Sequence, residues 1–334
     1  RAKRLLAALA DAAETDAVLA LADDPIGLRL ADGTPAHVVT TGPLHSAHGK
    51  PVFDPASLAP VVAQRQFDVI AVDMLDTPEG SLSSLRRFAR RVITFDDRGA
   101  GRLGADAIVN VLVREPQPAS LASGTLLAEG PEYATLDPVY ATPTPVRDIK
   151  PSHLNALVTL GGADSAGLTL KVLRALLDVD GLAVVSVVCG IGSGWREQAL
   201  DIAQGAPWRL NLHDQVPNLR DLFLSADLAF VAGGLTMHEA CCTGTPSIAV
   251  CQPIDHQPEL ARWFAERGAM LTVGDGAQAE EREIADAARG LVADAARRAS
   301  MSAVGRGLVD GRGTQRTARL ILRVAGVKVE ETDP

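Results

Sequence analysis

Short apolar runs alternate with segments of helical periodicity along the whole chain. Apolar runs of roughly four to eight residues between helical segments indicate parallel strands that are covered on both faces. The predicted strands cover residues 17–21, 36–40, 68–74, 91–97, 107–113, 156–161, 182–190, 208–213, 228–233, 247–252 and 269–274. The predicted helices lie near 79–90, 166–178, 195–204, 217–225, 235–243, 257–267 and 278–295. This βαβ repetition predicts an α/β fold with two Rossmann-like, doubly wound parallel-sheet domains.

A proline-rich stretch separates the two halves of this pattern. Three prolines fall between Ala141 and Ser152 without apolar periodicity, which is typical of a linker. We therefore predict a first domain over 1–140, a linker over 141–154 and a second domain over 155–312. A last helix is predicted over 313–330, and it could pack on the first domain. Ligands of such sheets bind at the carboxyl ends of the strands, so we expect a cleft there.

The first domain opens directly on an amphipathic helix, at residues 1–14. A doubly wound sheet would then lack a central strand between 17–21 and 68–74, and each buried backbone group left unpaired would cost about 1–3 kcal/mol. We therefore expect a strand and a glycine-rich loop upstream of Arg1 in the natural protein, with the loop facing Gly233. Direct pairing of 17–21 with 68–74 would contradict this expectation.

The net charge of the chain indicates which kinds of ligand it can bind. The formal net charge of the chain is −9. An acidic protein is a poor nucleic-acid binder, because phosphate backbones are bound by basic side chains. A single nucleotide is not excluded, since helix N-termini and backbone N–H groups can hold one whatever the net charge.

The cysteines and the hydropathy of the chain indicate the cellular compartment in which the protein is expected. Cys189, Cys241, Cys242 and Cys251 lie in or beside apolar runs and have no zinc-type spacing, so we expect small buried side chains in a reducing compartment. No apolar run approaches the roughly 20 residues of a membrane span, and no secretory signal is visible. The sequence predicts a cytoplasmic protein without integral membrane contact.

The candidate chemistry centres on a glycine pair at the end of the strand 228–233. Gly233 and Gly234 would let a ligand approach the backbone, and the helix that follows would aim free N–H groups at a diphosphate. Thr236 and Glu239 lie one turn apart, so Glu239 could accept hydrogen bonds from a ribose. The same spacing also describes a capping box, which the spacing alone favours. His238 is expected to be a solvated helix residue.

Other glycine and acidic groups give weaker signals. The segment 160–169 could line the cleft or be an ordinary βα turn. The segment 189–195 fails the GxGxxG pattern because Trp195 takes the last position. Asp96 and Asp97 could hold a metal as a carboxylate pair, but two solvated acids in a turn are favoured. No other acidic pair or histidine cluster stands at a strand end, so no metal site and no cofactor are predicted.

Taken together, the motifs resemble those of GT-B nucleotide-sugar enzymes. ADLAFVAGGLTMHEACCTGTPSIAV and HQPELARWFAERGAM resemble the C-terminal domain of the lipid II glycosyltransferase family. The nearest branch holds the pseudaminic-acid UDP-sugar hydrolase and the spore-coat polysaccharide glycosyltransferases. Further matches are VDM, ITFDDRGAGRLGADAIVN, EGPEYATLDP, LVTLGGADSAGLT and DGRGTQR, so the resemblance covers most of the chain. It implies a GT-B fold with two Rossmann-like domains facing a cleft.

The resemblance also implies a nucleotide-sugar site in the second domain. Glu239 matches the ribose-binding carboxylate, which favours that role over the capping box. Val216 matches a position whose backbone contacts the base, and Gln257 lies near the family's sugar-contacting glutamine. The residues that match the phosphate-facing turn are Gly233, Gly234, Leu235 and Thr236. The residues that match the loop facing the cleft are Gly161, Gly162 and Asp164.

The sequence departs from the family pattern in the part that handles the sugar. In the hydrolase branch a Gly-x-Gly-His-x-x-Arg loop supplies a catalytic histidine, and Arg1 resembles the arginine that closes this loop. The catalytic residue is therefore expected upstream of Arg1, with assistance from Asp73 left open. Leu75 stands where the family has tyrosine, and Asp137 where it has arginine. These two changes weaken the case for that hydrolase.

Three functions remain open at the level of sequence. The leading one is a GT-B glycosyltransferase that uses a nucleotide-diphosphate sugar, with UDP favoured, in polysaccharide, glycoconjugate or nonulosonate-type biosynthesis. A helix N-terminus would stabilise the leaving diphosphate instead of a metal, and the first domain would bind the acceptor and supply a base. The second is a UDP-sugar hydrolase with water as acceptor. The third is a non-catalytic nucleotide-sugar-binding protein.

Overall fold

The computed structural model describes residues 1–22, 25–41, 45–47, 50–52, 65–114, 120–146, 148–150, 152–162, 164–190, 194–214 and 216–329. The chain divides into two compact units. The first unit combines Arg1–Thr135 with Arg312–Pro334, and the second is Leu136–Gly311. The predicted linker 141–154 falls within the second unit, and its residues 147 and 151 lie outside the described part.

The first unit begins with a helix and two small sheets. Helix α1 (Ala2–Ala12) precedes strand β1 (Val18–Ala22), which pairs in parallel with β2 (His37–Thr41) across helix α2 (Pro25–Ala31). Strands β3 (His45–Ala47) and β4 (Lys50–Val52) form an antiparallel pair. The predicted strands 17–21 and 36–40 are thus present, each shifted by one residue.

A four-stranded parallel sheet follows these elements in the first unit. Its strands, in spatial order, are β5 (Phe67–Asp73), β6 (Ala89–Phe95), β7 (Ala107–Asn110) and β8 (Leu126–Glu129), with helix α3 (Ser81–Leu85) after β5. Val92 and Ile108 are buried against Leu82 and Leu85 of α3. The predicted helix 79–90 is too long, because Gly80 starts it and residue 89 already belongs to β6. Strand β8 was not predicted, since only Ala128 of its four residues is buried.

Strands β1 and β5 do not pair with each other. Within the described residues, β1 pairs only with β2 and β5 only with β6. The pairing that would have contradicted an additional central strand is therefore not observed. The upstream strand and loop stay a prediction.

The second unit is a six-stranded, fully parallel sheet flanked by helices. The spatial order is β11-β10-β9-β12-β13-β14. The elements, in chain order, are β9 (Leu154–Thr159), α4 (Leu168–Ala175), β10 (Leu182–Cys189), α5 (Arg196–Ala203), β11 (Arg209–Asp214), α6 (Arg220–Ser225), β12 (Leu228–Val231), α7 (Leu235–Thr243), β13 (Ser247–Cys251), α8 (His256–Glu266), β14 (Leu271–Asp275), α9 (Glu281–Ala293) and α10 (Ala295–Leu308). The strand order reverses between β9 and β12, which is the point where doubly wound sheets bind ligands.

Apolar side chains of β9, β10 and β12 form the core of this unit together with α4 and α9. Helix α10 was not predicted: after the helix over 278–295, the next predicted helix is the last one, over 313–330. In the structure α9 ends at Ala293, and Asp294 starts a new helix by accepting a hydrogen bond from the N–H of Arg297 at 2.8 Å.

The last helix, α11 (Gly313–Val324), is part of the first unit and packs on α1. Arg316 Nη1 donates to the carbonyl of Glu132 at 3.1 Å, and Thr317 Oγ1 donates to that of Tyr133 at 3.2 Å. A Cβ on Gly313 would overlap the backbone of Ala134, so only glycine lets α11 begin this close. The fold is thus two parallel-sheet α/β units, as the hydrophobic pattern predicted.

Candidate functional site

The turn after β12 presents unpartnered backbone N–H groups to open space. All four residues of β12 are buried, and Gly234 precedes α7 without any side-chain cap. Among the described residues, the N–H groups of Leu235 and Thr236 have no hydrogen-bond acceptor. A Cβ on Gly234 would meet no atom within 4 Å. The N-terminal end of α7 can therefore receive an anion, which its dipole also favours.

Gly233 is enclosed where Gly234 is open. A Cβ on Gly233 would overlap the Cβ of Gln257 and lie 2.9 Å from its Cα. The N–H of Gly233 donates to Gln257 Oε1 at 3.0 Å. Gly233 thus allows α8 to pack against this turn, and only the following residues offer free N–H groups.

Thr236 and Glu239 do not form the capping box that their spacing favoured. Helix α7 is capped by Gly234, so Thr236 already has helical backbone, and its hydroxyl donates to the carbonyl of Ala232 at 3.1 Å. Glu239 is buried in α7, at 7% exposure, and lies on the same face as Thr236. The expectation of a capping box is wrong because the helix begins two residues earlier than that motif requires.

A second glycine loop follows β9 on the neighbouring strand. Gly161 and Gly162 are exposed, and the loop carries no bulky side chain at either position. The carboxylate of Asp164 caps α4: Oδ1 accepts from the N–H of Leu168 and Oδ2 from that of Thr169, both at 2.9 Å. Asp164 therefore shapes this loop, while its glycines remain available to a ligand.

The other predicted site residues lie on the flanking elements. The side-chain oxygen of Gln257, on α8, accepts from the N–H groups of Gly233 and Gln252, each at 3.0 Å. Val216 is half-buried after the edge strand β11, and its neighbour Gln215 lies outside the described residues. The carboxyl ends of β9, β12 and β13 thus bring together the glycine loops, Asp164 and Gln257, whereas Val216 follows a strand two positions away from β9. Sequence reasoning missed Gln252, which directly follows β13.

In the first unit, Asp73 and the acidic pair are tied into ion pairs and backbone hydrogen bonds. Arg1 Nη1 lies 2.9 Å from Asp73 Oδ1, and its other terminal nitrogen contacts Asp96 Oδ2. Asp96 is 1% exposed, has a φ of 49°, and its Oδ1 accepts from the N–H groups of Val111 and Leu112 at 2.6 Å.

Asp97, also buried, accepts from the N–H groups of Thr77 and Gly99 at 2.9 Å. The expectation of two solvated acids is wrong, because loop N–H groups replace water around both carboxylates.

Three further expectations concern single side chains. His238 is fully buried with its ring edge-on to Phe264, so the expectation of a solvated residue is wrong. Leu75 is 47% exposed. Asp137 accepts from the N–H of Val139 at 3.1 Å and caps a short 3₁₀ turn. Leu75 and Asp137 are the two positions where the chain departs from the family pattern: the first side chain is exposed, and the second caps a local turn.

The four cysteines carry free thiols. Cys241, Cys242 and Cys251 are buried as expected, whereas Cys189 is half-buried. Burial raises the pKa of Cys242 and of Cys251 to about 12, so both stay protonated at neutral pH. These three side chains act as small apolar groups.

In the described part of the chain, no three His, Cys, Asp or Glu residues lie together in an arrangement that could hold a metal ion. No helix in the same residues combines the length and the apolar character needed to cross a bilayer.

Comparison with solved structures defines the class of protein. Acinetobacter baumannii MurG superposes with a TM-score of 0.67 at 17% identity, covering 96% of this chain and 95% of MurG. The glycosyltransferase VinC, solved in complex with dTDP, gives a TM-score of 0.62 at 17% identity, covering 97% of this chain and 95% of VinC. The chain is therefore a GT-B protein by fold.

Comparison with curated sequences adds a relative. The spore coat polysaccharide biosynthesis protein SpsG of Bacillus subtilis is 27% identical over 265 residues, which are 78% of this chain and 78% of SpsG. No family model matches the chain. The resemblance to GT-B nucleotide-sugar enzymes, and to their spore-coat polysaccharide branch, is confirmed.

Proposed function

We propose that this protein is a glycosyltransferase that uses a nucleotide-diphosphate sugar, with the diphosphate bound at the N-terminal end of α7. One observation carries the proposal: within the described part of the chain the N–H groups of Leu235 and Thr236 have no acceptor, and the space in front of Gly234 is open. Two unpartnered amides at the positive end of a helix dipole stabilise a phosphate oxygen. They also stabilise the charge that develops on a leaving diphosphate.

The neighbouring groups supply the rest of a donor site. Glu239, one turn further along α7, accepts hydrogen bonds from the ribose hydroxyls in this proposal. The backbone at Val216 contacts the base, and Gln257 Nε2 reaches the sugar. The loop at Gly161 and Gly162 approaches the ligand from the next strand. VinC was solved with dTDP and SpsG is a polysaccharide biosynthesis protein, which supports a nucleotide-diphosphate donor in polysaccharide or glycoconjugate synthesis.

The choice of UDP and the independence from metal are part of the proposal. A helix N-terminus can take the role that a divalent cation has in other phosphate-leaving reactions. The reaction rate is therefore expected to be unchanged by EDTA. Loss of activity in EDTA, restored by magnesium or manganese, would contradict this part.

Calorimetric titration with UDP, dTDP, GDP and ADP tests the site. The wild-type protein is expected to bind UDP, and Glu239→Ala to weaken that binding by about 1.5–3 kcal/mol through loss of a charge-assisted ribose contact. Glu259→Gln is the control, because Glu259 is an exposed carboxylate on α8. Equal UDP affinity in wild type and Glu239→Ala, with the fold intact, would remove Glu239 from the site.

The reaction itself is tested by incubation with UDP-sugars. The proposal predicts that UDP is released only when an acceptor is present. Release of free sugar and UDP without an acceptor would instead identify a hydrolase with water as acceptor. Tight binding without turnover in either condition would favour a non-catalytic nucleotide-sugar-binding protein.

A further inference from the structure

The two glycine loops of the candidate donor site are joined through one buried side chain, that of Gln252. Its Nε2 donates to the carbonyl of Leu160 at 3.0 Å and to Asp164 Oδ1 at 2.9 Å. Its Oε1 accepts from the N–H of Ala166 at 3.4 Å. The amide of Gln252 therefore contacts the loop between β9 and α4 at three places.

The backbone of the same residue faces the other loop. The N–H of Gln252 donates to Gln257 Oε1 at 3.0 Å, and this oxygen also accepts from the N–H of Gly233 at 3.0 Å. A continuous chain of hydrogen bonds thus leads from Asp164 through Gln252 and Gln257 to Gly233. It crosses the carboxyl ends of β9, β13 and β12, where the strand order reverses.

Burial and backbone geometry show that this link is fixed in place. Gln252 is 6% exposed and Gln257 8%. Asp164 has a φ of 37°, a region that residues other than glycine rarely adopt and that surrounding contacts must maintain. Both carboxylate oxygens of Asp164 are already held by α4. The conformation of the loop is therefore determined jointly by α4 and Gln252.

A glutamine is required at position 252 by the chemistry of its contacts. Its Nε2 faces two acceptors, the Leu160 carbonyl and the Asp164 carboxylate, and its Oε1 faces a donor. A glutamate would place an oxygen and a negative charge against both acceptors, which would repel the loop. An alanine would remove the link without adding charge.

We propose that Gln252 is a positioning residue of the donor site, which sets the separation between the Gly161–Gly162 loop and the Gly233–Thr236 turn. This inference rests on the proposed function, because it assumes that both loops contact the diphosphate and its sugar. Both polar atoms of the Gln252 amide are already engaged by the loop after β9, so Gln252 acts through the backbone of the two loops instead of contacting the ligand.

The test compares how strongly each variant prefers UDP over UMP. In Gln252→Glu and Gln252→Ala the preference for UDP, measured as the ratio of dissociation constants, is expected to fall about tenfold or more, because the two loops no longer keep the separation that the diphosphate requires. The ratio of the two dissociation constants does not depend on the fraction of the protein that is folded, because unfolding weakens the apparent binding of UDP and UMP equally. In turnover assays the same variants are expected to lower kcat more than they raise KM.

Thr245→Ala is the matched stability control. Thr245 lies just before β13, at the opposite end of the strand from Gln252, and its buried hydroxyl donates to the carbonyl of Phe223 at 2.9 Å. The control is expected to lower the melting temperature and leave the UDP/UMP ratio unchanged. A ratio that stays at the wild-type value in folded Gln252→Ala, or that falls equally in Thr245→Ala, would overturn the positioning role.

Hydrogen exchange of the unliganded protein tests the link independently of nucleotide binding. Gln252→Glu is expected to speed exchange at the N–H groups of Gly233, Leu168 and Thr169 more than Thr245→Ala does. Equal exchange in the two variants would overturn the link. Failure of the wild-type protein to bind UDP would overturn the proposed function instead, and the exchange result would then stand by itself.

Discussion

At the scale of single residues, Gly233 and Gly234 are adjacent but have opposite requirements. A Cβ at Gly233 would meet the Cβ and Cα of Gln257, whereas a Cβ at Gly234 would meet nothing within 4 Å. Gly233 is therefore needed for packing, whereas Gly234 leaves the space in front of the helix end open. Substituting each of the two glycines separately therefore distinguishes an effect on stability from an effect on ligand binding.

Gly233→Ala is expected to destabilise the second unit by about 1–3 kcal/mol, since backbone and Cβ atoms of α8 would have to move. Gly234→Ala is expected to leave the unfolding free energy within about 0.5 kcal/mol of wild type and to weaken UDP binding, because its methyl group occupies the phosphate approach. Urea unfolding and calorimetry check both. Unchanged UDP affinity in Gly234→Ala would place the phosphate elsewhere.

Because burial raises the pKa of the thiols of Cys242 and Cys251, the free energy of unfolding is expected to depend on pH. The pKa of Cys251 is raised to about 12 by burial, above the value of 9.0 for a free thiol. The folded state then binds more protons than the unfolded state, so this contribution is complete below pH 9 and is lost as the pH rises from 9 towards 12. The unfolding free energy is expected to fall by up to about 1.4 kcal/mol per pH unit for each such thiol.

Urea unfolding of wild type and Cys251→Ala between pH 8 and 10.5 measures this effect. The variant should show the shallower decline, because one raised thiol has been removed. Equal slopes in the two proteins would show that Cys251 does not contribute.

Residue types alone were a poor guide to the environment of polar side chains. His238, Asp96 and Asp97 were expected in solvent, yet all three are buried. Loop N–H groups hydrogen-bond to one carboxylate oxygen of each aspartate, and most of these groups come from residues that are distant in the sequence, such as Val111 and Thr77. The glycine pair and Gln257 were predicted from the resemblance, and the structure brings Gly233 and Gln257 into contact. Gln252 was missed because no local pattern marks a link between two loops.

At the scale of elements, Arg298 on α10 holds the end of α9. Its guanidinium is buried and donates to the carbonyls of Leu291 and Val292, the latter at 2.8 Å, and to that of Lys150. The carbonyls at the end of a helix otherwise lack donors, and a cation there also interacts favourably with the helix dipole.

Arg298→Met is expected to lower the unfolding free energy of the second unit by about 2–4 kcal/mol, because buried carbonyls lose a charged donor. Arg297→Met, on the exposed side of the same helix, is the control and should change it by less than about 0.5 kcal/mol. Urea unfolding measures both. A similar loss in the two variants would contradict the role given to Arg298.

Most strands were predictable because a parallel strand covered on both faces has a continuous apolar sequence. Strand β12, with four buried residues, is an example. Strand β8 could not be recognised, since three of its four residues are at least partly exposed. The break between α9 and α10 depends on the side chain of Asp294, which caps a new helix. The helical periodicity of the sequence continues across this residue, so the periodicity alone does not indicate a break.

At the scale of the whole molecule, α11 completes the first unit. Leu320, Ile321 and Leu322 are buried in that helix. Each buried aliphatic side chain contributes about 1.5–3 kcal/mol. Several such side chains together equal a large part of the stability of a typical domain.

Removal of residues 312–334 is therefore expected to unfold the first unit and leave the second folded. Limited proteolysis with mass spectrometry should then show rapid cleavage within 1–135 and protection within 136–311. A chain ending at Val327 is the control, because α11 ends at Val324. Uniform protection in the shortened protein would show that α11 is dispensable.

The division of the chain was predictable only in part. The two sheets follow from the hydrophobic pattern, and the second compact unit begins at Leu136, shortly before the predicted linker 141–154. Proline indicates local stiffness, whereas membership of a unit depends on contacts that are distant in the sequence. The helix after Arg312 illustrates this, because its apolar face alone does not identify α1 as its partner.

The first unit consists of two segments that are far apart in the sequence, and this determines the order in which its parts are synthesised. Its first 135 residues are synthesised before the second unit, but α11 is synthesised after it. At bacterial or eukaryotic elongation rates the intervening segment takes on the order of ten to thirty seconds. During that time α1 has no α11 to pack against. The second unit is continuous and can fold as soon as it has been synthesised, whereas the first unit is completed only when α11 follows.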